Sequence, residues 1–485
     1  MSDSIRDKVV RGAFWNAAER SCISLLLFIS NIVLARLLSP DDFGYVGVLT
    51  VIISVSDVIV DCGLSTALIQ KTQTSQIDYS TIFFWDSALS IFFYILFFLG
   101  SSFISSFFEQ ESLSPLMKVL GLTLIFNSLT IVQRTYLTKF MKFKKLARIN
   151  ATSTLIGAVL GVICAFVGFG VWSLIIKLLS RAVVCCALFW ITSEWIPRLK
   201  CSMYSLRSLF RFSGFVFLTT LSENLYTNII SVVIGKNFSS TILGYFTQAR
   251  KLEDVPRQTI ASVVNNVTFS AFSSLQNNMN KLEKGVKDSF RLISYISFSL
   301  TIFLIVVAKP IIVLLFSEKW MGAIPYFQII CLYGLLMSII ELNMSVMKAV
   351  GDSKLLFYTG ISSRMIGITL IIIGVVGGGM RGMLFCFVSS QIVSFIIVSY
   401  YVGAIINFGF WIHVKEMMPN LIVSIIAGFL SFLVLFLLHT GDMILLIVQF
   451  SIYFITLFTI SSLLNLKSFA LLLSVSRKYI LYEKR

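Results

Sequence analysis

Arg36-Leu-Leu-Ser-Pro-Asp-Asp-Phe-Gly-Tyr45 interrupts the first long apolar region of this chain. Two hundred residues later, without a gap, Lys236-Asn-Phe-Ser-Ser-Thr-Ile-Leu-Gly-Tyr245 interrupts another. A second echo pairs Lys139, Lys145 and Leu146 with Lys348, Lys354 and Leu355 at an offset of 209. Each match is short, but they fall in the same order at similar offsets, so the chain reads as two copies of one unit. The flanking segments explain what the unit is made of. A bilayer core of ~30 Å takes about 20 mostly apolar residues in a helix. Runs of that kind recur from Phe14 to Leu464, beginning near residues 13, 43, 80, 116, 149, 170, 210, 241, 289, 323, 357, 380, 418 and 442.

The composition agrees with that reading. Hydrophobic residues make up 57% of the chain and charged residues only 13%, against roughly 25% charged in a soluble globular protein. A segment in hydrocarbon must satisfy its own backbone hydrogen bonds, so the expected fold is an all-α polytopic membrane protein of about fourteen helices. The short charged stretch Met1–Gly12 leads into a run of spanning length with no small-residue cleavage site, which predicts a retained first helix. The eight cysteines lie mostly in apolar runs and none has C-x-x-C spacing, which argues against disulfide and zinc frameworks. Only two histidines occur, His413 and His439, far apart in the chain. The net charge of +16 is distributed over alternate loops, so it signals topology and not nucleic acid.

Basic residues near span ends stay on the cytoplasmic side. Lys139, Lys142, Lys144, Lys145 and Arg148 follow the fourth run. Arg198, Lys200, Arg207 and Arg211 precede the seventh, and Lys281, Lys284, Lys287 and Arg291 precede the ninth. Lys467, Arg477, Lys478, Lys484 and Arg485 follow the last. The opposite loops carry Asp41-Asp42, Glu109, Glu111 and Asp442, with scattered cations such as Lys236, Lys319 and Arg381. Both termini are therefore expected inside. The first echo falls in outer loops and the second in inner loops, so the copies insert in parallel. The expected organisation is a six-helix lobe at 1–208, a second at 209–410, and two further helices with a cytoplasmic tail at 411–485. Parallel repeats related by an axis along the membrane normal are a transporter architecture.

Ionisable side chains within spans are costly and mark cavities or partners. The eighth run holds Arg250, Glu253, Asp254 and Arg257 on one helical face, spaced so that Arg250–Asp254 and Glu253–Arg257 can pair. The bland reading is a self-neutralised stripe; the functional one leaves an arginine for an anionic ligand. Lys177 and Arg181 share a face of the sixth run, which contains no acid. Arginine's planar fork suits phosphate, although an acid on another helix, such as Glu223, could neutralise the pair. Arg20 and Arg364 are further cationic candidates. Asp57, Asp61, Glu223, Asp254 and Glu341 are candidates for binding a coupling ion, or else counter-ions to the arginines. Asp61 and Asp86 lie near inner span ends, where contact with water is expected. Gly377-Gly-Gly379 reads as a tight connection between spans. No large outer loop, Walker-type glycine loop, heme or zinc spacing is present, so neither an enzyme nor an ATP-driven motor is indicated.

Leu34-Ala-Arg-Leu-Leu-Ser-Pro-Asp-Asp-Phe-Gly44 and Val60-Asp-Cys-Gly-Leu-Ser-Thr-Ala-Leu-Ile-Gln-Lys71 resemble the bacterial polysaccharide transporter family. So do Phe143-Lys-Lys-Leu-Ala147, Gly168-Phe-Gly-Val-Trp172, Ile234-Gly-Lys236, Leu243-Gly-Tyr245 and Glu318-Lys-Trp320. As a set they are similar to the O-antigen and colanic-acid type of flippase, within the multidrug/oligosaccharidyl-lipid/polysaccharide (MOP) exporter superfamily. The resemblance implies translocation of undecaprenyl-pyrophosphate-linked oligosaccharide across the bacterial inner membrane, by alternating access through a cationic central cavity. It implies no cofactor, and coupling to protons, sodium or the membrane potential stays open. The implied partners are the lipid-linked oligosaccharide, the bilayer, and polysaccharide polymerase and chain-length proteins. Arg250 falls where many relatives carry an arginine. Two departures stand out: Phe269-Ser-Ala-Phe272 replaces a stretch where relatives often have proline, and Thr227 and Ile230 stand where many carry an arginine and an aspartate. A coupling role for that aspartate is not carried over. The alternatives are a multidrug or other lipid exporter, which in the multidrug case wants an acid-dominated cavity, and a membrane polysaccharide polymerase or ligase, which wants a large outer loop.

Overall fold

The computed structural model describes residues 22–263, 268–275, 278–351, 353–437 and 441–482. Arg20, His439, Lys484 and Arg485 therefore lie outside the described residues. Those described form helices and connecting turns, with no strand among them. Among the described residues, ten helical segments are long and apolar enough to cross a membrane, so the chain is a multi-pass membrane protein. Phe103, Ile191, Val376 and Leu463 are each at least 75% exposed. Apolar side chains that project so far on so many helices belong against lipid. Serine hydroxyls turn inward instead: Ser90 Oγ and Ser128 Oγ, both buried, lie 2.7 Å apart.

Two compact units divide the chain, residues 1–247 and 248–485. The first contains α1 (Cys22–Leu37), α2 (Pro40–Asp61), α3 (Leu64–Gln70), α4 (Gln76–Phe107), α5 (Leu113–Leu120) and α6 (Leu122–Lys139). It continues with α7 (Phe143–Val167), α8 (Trp172–Thr192), α9 (Met203–Asn237) and the start of α10 (Ser240–Val263). The second contains the rest of α10, α11 (Phe269–Leu275), α12 (Met279–Val306), α13 (Ala308–Phe316) and α14 (Ile324–Val350). It ends with α15 (Ser353–Ile406), α16 (Phe410–Leu437), α17 (Asp442–Leu463) and α18 (Lys467–Tyr482).

Local chemistry sets where these helices start and stop. Ser39 caps α2: its hydroxyl accepts from the Asp42 N–H at 3.3 Å, and Asp42 Oδ2 accepts from the Ser39 N–H at 2.9 Å. Pro40 occupies the first helical position, where a missing N–H costs nothing. Ser75 and Asp78 build the same capping box on α4. Within α15, Gly378 and Gly379 leave helical geometry, with φ of −149° and 56°. The tight connection expected at Gly377-Gly-Gly379 is thus a reversal between two helices. It closes so far that a Cβ on Gly374 would meet the Gly382 carbonyl oxygen at 2.6 Å.

The two stretches joined by the 200-residue echo fold alike. Helix breaks at 238–239 as at 38–39, and α10 begins at Ser240 as α2 begins at Pro40. From 41 to 50 and from 241 to 250 the succession of buried and half-buried residues is identical.

Basic side chains anchor the turns of the first unit. Lys71 Nζ donates to Asp78 Oδ2 at 2.8 Å, and Lys139 Nζ donates to the Leu68 carbonyl at 2.8 Å. Lys142 and Lys145 both pair with Glu194. In the second unit Arg291 grips Glu416 with two nitrogens at 2.6 and 2.9 Å, tying α12 to α16.

Candidate functional site

In the first unit, α7 and α8 form a hairpin whose seam is set by Gly157 and Gly161. A Cβ at Gly161 would meet the Lys177 Cβ at 2.6 Å, and one at Gly157 would meet the Arg181 Cβ at 2.9 Å. Small residues four apart allow backbones to approach closely in a membrane. Here they seat the two cations of α8, one turn apart, against the glycine face of α7. Lys177 Nζ reaches α1 and donates to Ser30 Oγ at 2.8 Å. Arg181 is half-buried and makes no hydrogen bond or ion pair with a described residue.

A third cation, Arg134 on α6, joins them. It lies within electrostatic range of both Arg181 and Asp57, and its guanidinium stands 5.9 Å from the Phe189 ring. In the sequence Arg134 sits five residues before Lys139 and merges with the basic flank of its span. Asp57 on α2 accepts from Asn127 Nδ2 at 3.3 Å. Asp61 instead accepts from the N–H and hydroxyl of Ser65, at 3.2 and 3.0 Å, and so caps the start of α3. Glu223 is an exposed residue of α9, next to a polar seam in which Asn228 Nδ2 donates to Asn224 Oδ1 at 3.1 Å.

The arrangement of the second unit is different. Arg257 Nε meets Glu253 Oε2 at 3.2 Å, and its Nη2 also pairs with Asp254. Asp254, spaced to pair with Arg250, is thus held by Arg257, which takes both acids. The Glu253 side chain is only 7% exposed. Room for it comes from Gly334 on α14, where a Cβ would stand 2.2 Å from Glu253 Oε1. Pro256, which removes a helical N–H, lies between the acids and the arginine. A small cavity opens here, lined by Glu253, Arg257, Ser297, Thr301, Cys331 and Ser338. Arg250, Glu341 and Arg364 are each half-buried on α10, α14 and α15.

One expectation is corrected. Asp86, expected at a wet span end, is 0% exposed inside the first unit. Helix α4 packs against α2, α5, α6 and α9, which span composition does not reveal.

Chemically, the first unit offers the α8 cations Lys177 and Arg181 with Arg134 within electrostatic range of Arg181, and Asp57 within range of Arg134; the second offers a half-buried arginine already paired with two acids. The first suits an anion; the second suits structure or exchange of a counter-ion. A family described as polysaccharide biosynthesis protein matches residues 33–325, more than half of the chain. The chain belongs to that family. This family member is 27% identical over 440 residues to the lipopolysaccharide biosynthesis protein WzxC of Escherichia coli (strain K12), covering 88% of each chain. It is 23% identical to the succinoglycan biosynthesis transport protein ExoT of Rhizobium meliloti (strain 1021), over 74% of this chain and 73% of that one. Its fold is that of a solved lipid II flippase MurJ in an inward closed conformation, with a TM-score of 0.75 at 15% identity, covering 93% of this chain and 99% of that one. An inward-facing multidrug resistance MATE transporter of the MOP superfamily matches with a TM-score of 0.60 at 17% identity, over 79% and 94%. The chain is thus a multi-pass membrane protein of a polysaccharide biosynthesis family.

Proposed function

We propose that this chain carries undecaprenyl-pyrophosphate-linked oligosaccharide units across the bacterial inner membrane by alternating access, for O-antigen, capsule or exopolysaccharide synthesis. The observation that carries the reading is the grouping of Lys177, Arg181 and Arg134 in the first unit. Lys177 and Arg181 on α8, with Arg134 in electrostatic range of Arg181, make a cation-rich stretch, and arginine's fork matches pyrophosphate oxygens. Resemblance to WzxC and ExoT supports the glycan class. Arg250, Arg257, Arg364 and Arg20 are further substrate-binding candidates, and Asp57, Asp61, Glu223, Asp254 and Glu341 candidates for ion coupling. The protein works without a cofactor of its own and is not an enzyme.

The membrane topology belongs to the same proposal. Fourteen spans result when the ten apolar helices are taken, α15 is divided at Gly378-Gly379, and α1, α9 and α10 are added. They are grouped as six (1–208), six (209–410) and two (411–485), with both termini cytoplasmic. The matching folds of 36–50 and 236–250 support the parallel repeat. A polymerase and chain-length proteins are the partners that would receive the translocated unit.

The test is a host strain that depends on this chain for its surface polysaccharide. Lys177→Met with Arg181→Met should abolish the polysaccharide while membrane levels of the protein hold. Polysaccharide at the wild-type level would rule the cationic site out as the substrate site.

A further inference from the structure

Asp86 is 0% exposed, and neither of its carboxyl oxygens has a hydrogen-bond partner. Its surroundings are set by the Ser90–Ser128 hydrogen bond, which fixes how the antiparallel helices α4 and α6 face each other. One turn from that bond, toward the α3 end of the unit, the chain places Asp86 on α4 and Gln133 on α6. Gln133 is 1% exposed, and its amide oxygen and nitrogen are likewise without partners. Two buried polar side chains with empty hydrogen-bonding capacity at the same level of one interface are unusual, because buried polar groups are nearly always paired.

The charged groups nearby do not neutralise Asp86. On α2, Asp61 is within electrostatic range of it, and so is the Cys62 thiol. On α6, Arg134 lies against the Phe189 ring and Lys139 is bonded to the Leu68 carbonyl. On α4 itself Asp78 is paired with Lys71. Lys118 of α5 stands over the Phe98 ring, and Arg207 and Arg211 of α9 are exposed. α3 carries no ionisable side chain. Trp85, the preceding residue, packs edge-on against Phe210 of α9.

An ionised carboxylate buried without a partner and facing another acid is far more costly than the neutral acid at the same place. No group of three His, Cys, Asp or Glu side chains able to hold a metal ion occurs among the described residues, so Asp86 belongs to no multi-carboxylate metal cluster there. We propose that Asp86 is a proton-binding site of the first unit, level with the Gln133 amide across the α4–α6 interface. Asp86 holds the proton as a neutral acid in this conformation and releases it when that interface becomes wet. This supplies a proton-coupling site on α4, separate from the cations of α8. The site stands on its own geometry; only its use in driving translocation rests on the proposed function.

Infrared spectroscopy of the full-length protein in nanodiscs at neutral pH tests it. The spectrum of wild type minus Asp86→Asn should contain the carbonyl stretch of one protonated carboxyl group. The same band should persist in Asp61→Asn and move, without vanishing, in Asp86→Glu. Asn is the isostere of the neutral acid, so Asp86→Asn should fold; Asp86→Glu keeps the experiment decisive if it does not. Absence of the band from wild type, or its survival unchanged in both Asp86 variants, overturns the proposal. A carboxylate band that shifts with added sodium overturns it in favour of a metal cation. In vesicles with a reconstituted lipid-linked oligosaccharide, flipping by Asp86→Asn should lose its response to a pH gradient. If the band is found and no flipping occurs even in wild type, the substrate reading fails while the proton site stands.

Discussion

Gly44 on α2 and Gly244 on α10 occupy equivalent places in each other's surface. A Cβ on Gly44 would stand 2.0 Å from the Ser240 carbonyl oxygen, and one on Gly244 would stand 1.9 Å from that of Pro40. The relation is reciprocal at an offset of 200 residues, so the two echoing segments cross each other with a local two-fold character. Asp41 Oδ1 reinforces the crossing by accepting from Ser240 Oγ at 2.6 Å and Thr241 Oγ1 at 2.7 Å.

Alanine at either glycine should loosen this crossing. Intrinsic helix propensity favours alanine over glycine by about 1 kcal/mol. The clash, however, is with backbone, and overpacking typically costs about 1–3 kcal/mol. Gly44→Ala and Gly244→Ala should therefore lower the thermal midpoint of the purified protein. Gly100→Ala, where nothing lies within 4 Å of the added methyl, should not. Equal or higher stability of both crossing variants would show that the helices are not held this closely.

The glycine seat of α8 makes a second prediction. Gly161→Leu pushes against the Lys177 Cβ and Gly157→Leu against Arg181, so each displaces a cation without removing its charge. Surface polysaccharide should fall as it does on loss of the cations themselves. Full polysaccharide with normal membrane levels would mean that the placement of Lys177 and Arg181 is unimportant.

In the second unit, Arg257→Met strands the buried Glu253 beside Asp254. Breaking a buried ion pair from one side costs about 3–5 kcal/mol, so the thermal midpoint should drop sharply. Arg257→Lys keeps the charge but loses the fork that spans two acids, and should fall between. Adding Glu253→Gln to Arg257→Met should recover part of the loss. A midpoint unchanged in Arg257→Met argues against the triad as a structural element.

The Lys142 ammonium beside Glu194 holds its carboxyl below the usual carboxylate range. A depressed folded-state value means that the tie is present above the ordinary glutamate range and is lost as pH falls through the lower one. Hydrogen exchange in residues 193–200, corrected for intrinsic rates, should show protection at neutral pH that disappears only in acid. Glu194→Gln should lack that pH-dependent change. Identical profiles would remove the pair from any role in ordering this turn.

Reporter fusions test the topology. Sites at Lys144 and Ser474 should both report from the cytoplasm, and an outer signal from either would falsify the parallel arrangement with internal termini.

Much of the fold was legible because membrane insertion reads composition over about 20 residues at a time. The apolar runs and the tight connection at Gly377-Gly-Gly379 needed only local chemistry. The 200-residue echo was visible as well. Its consequence was not: that Gly44 and Gly244 are small because each receives the other helix's carbonyl. Arg134 was hidden for a related reason, since a basic residue near a span end is ordinarily a topological signal.

By itself the sequence determined that this protein lies in a membrane, which stretches are apolar enough to span it, and which charges they carry. Only the tertiary structure decided which of those charges meet. Whether an ionisable side chain faces lipid, water or a partner depends on the rotation of its helix against neighbours far along the chain. Asp57 finds Asn127, Asp61 caps α3, Arg257 gathers two acids, and Asp86, on an unremarkable turn of α4, is fully enclosed. Spacing along one helix cannot distinguish these fates, because the cost of a buried charge is set by what the other helices bring to it.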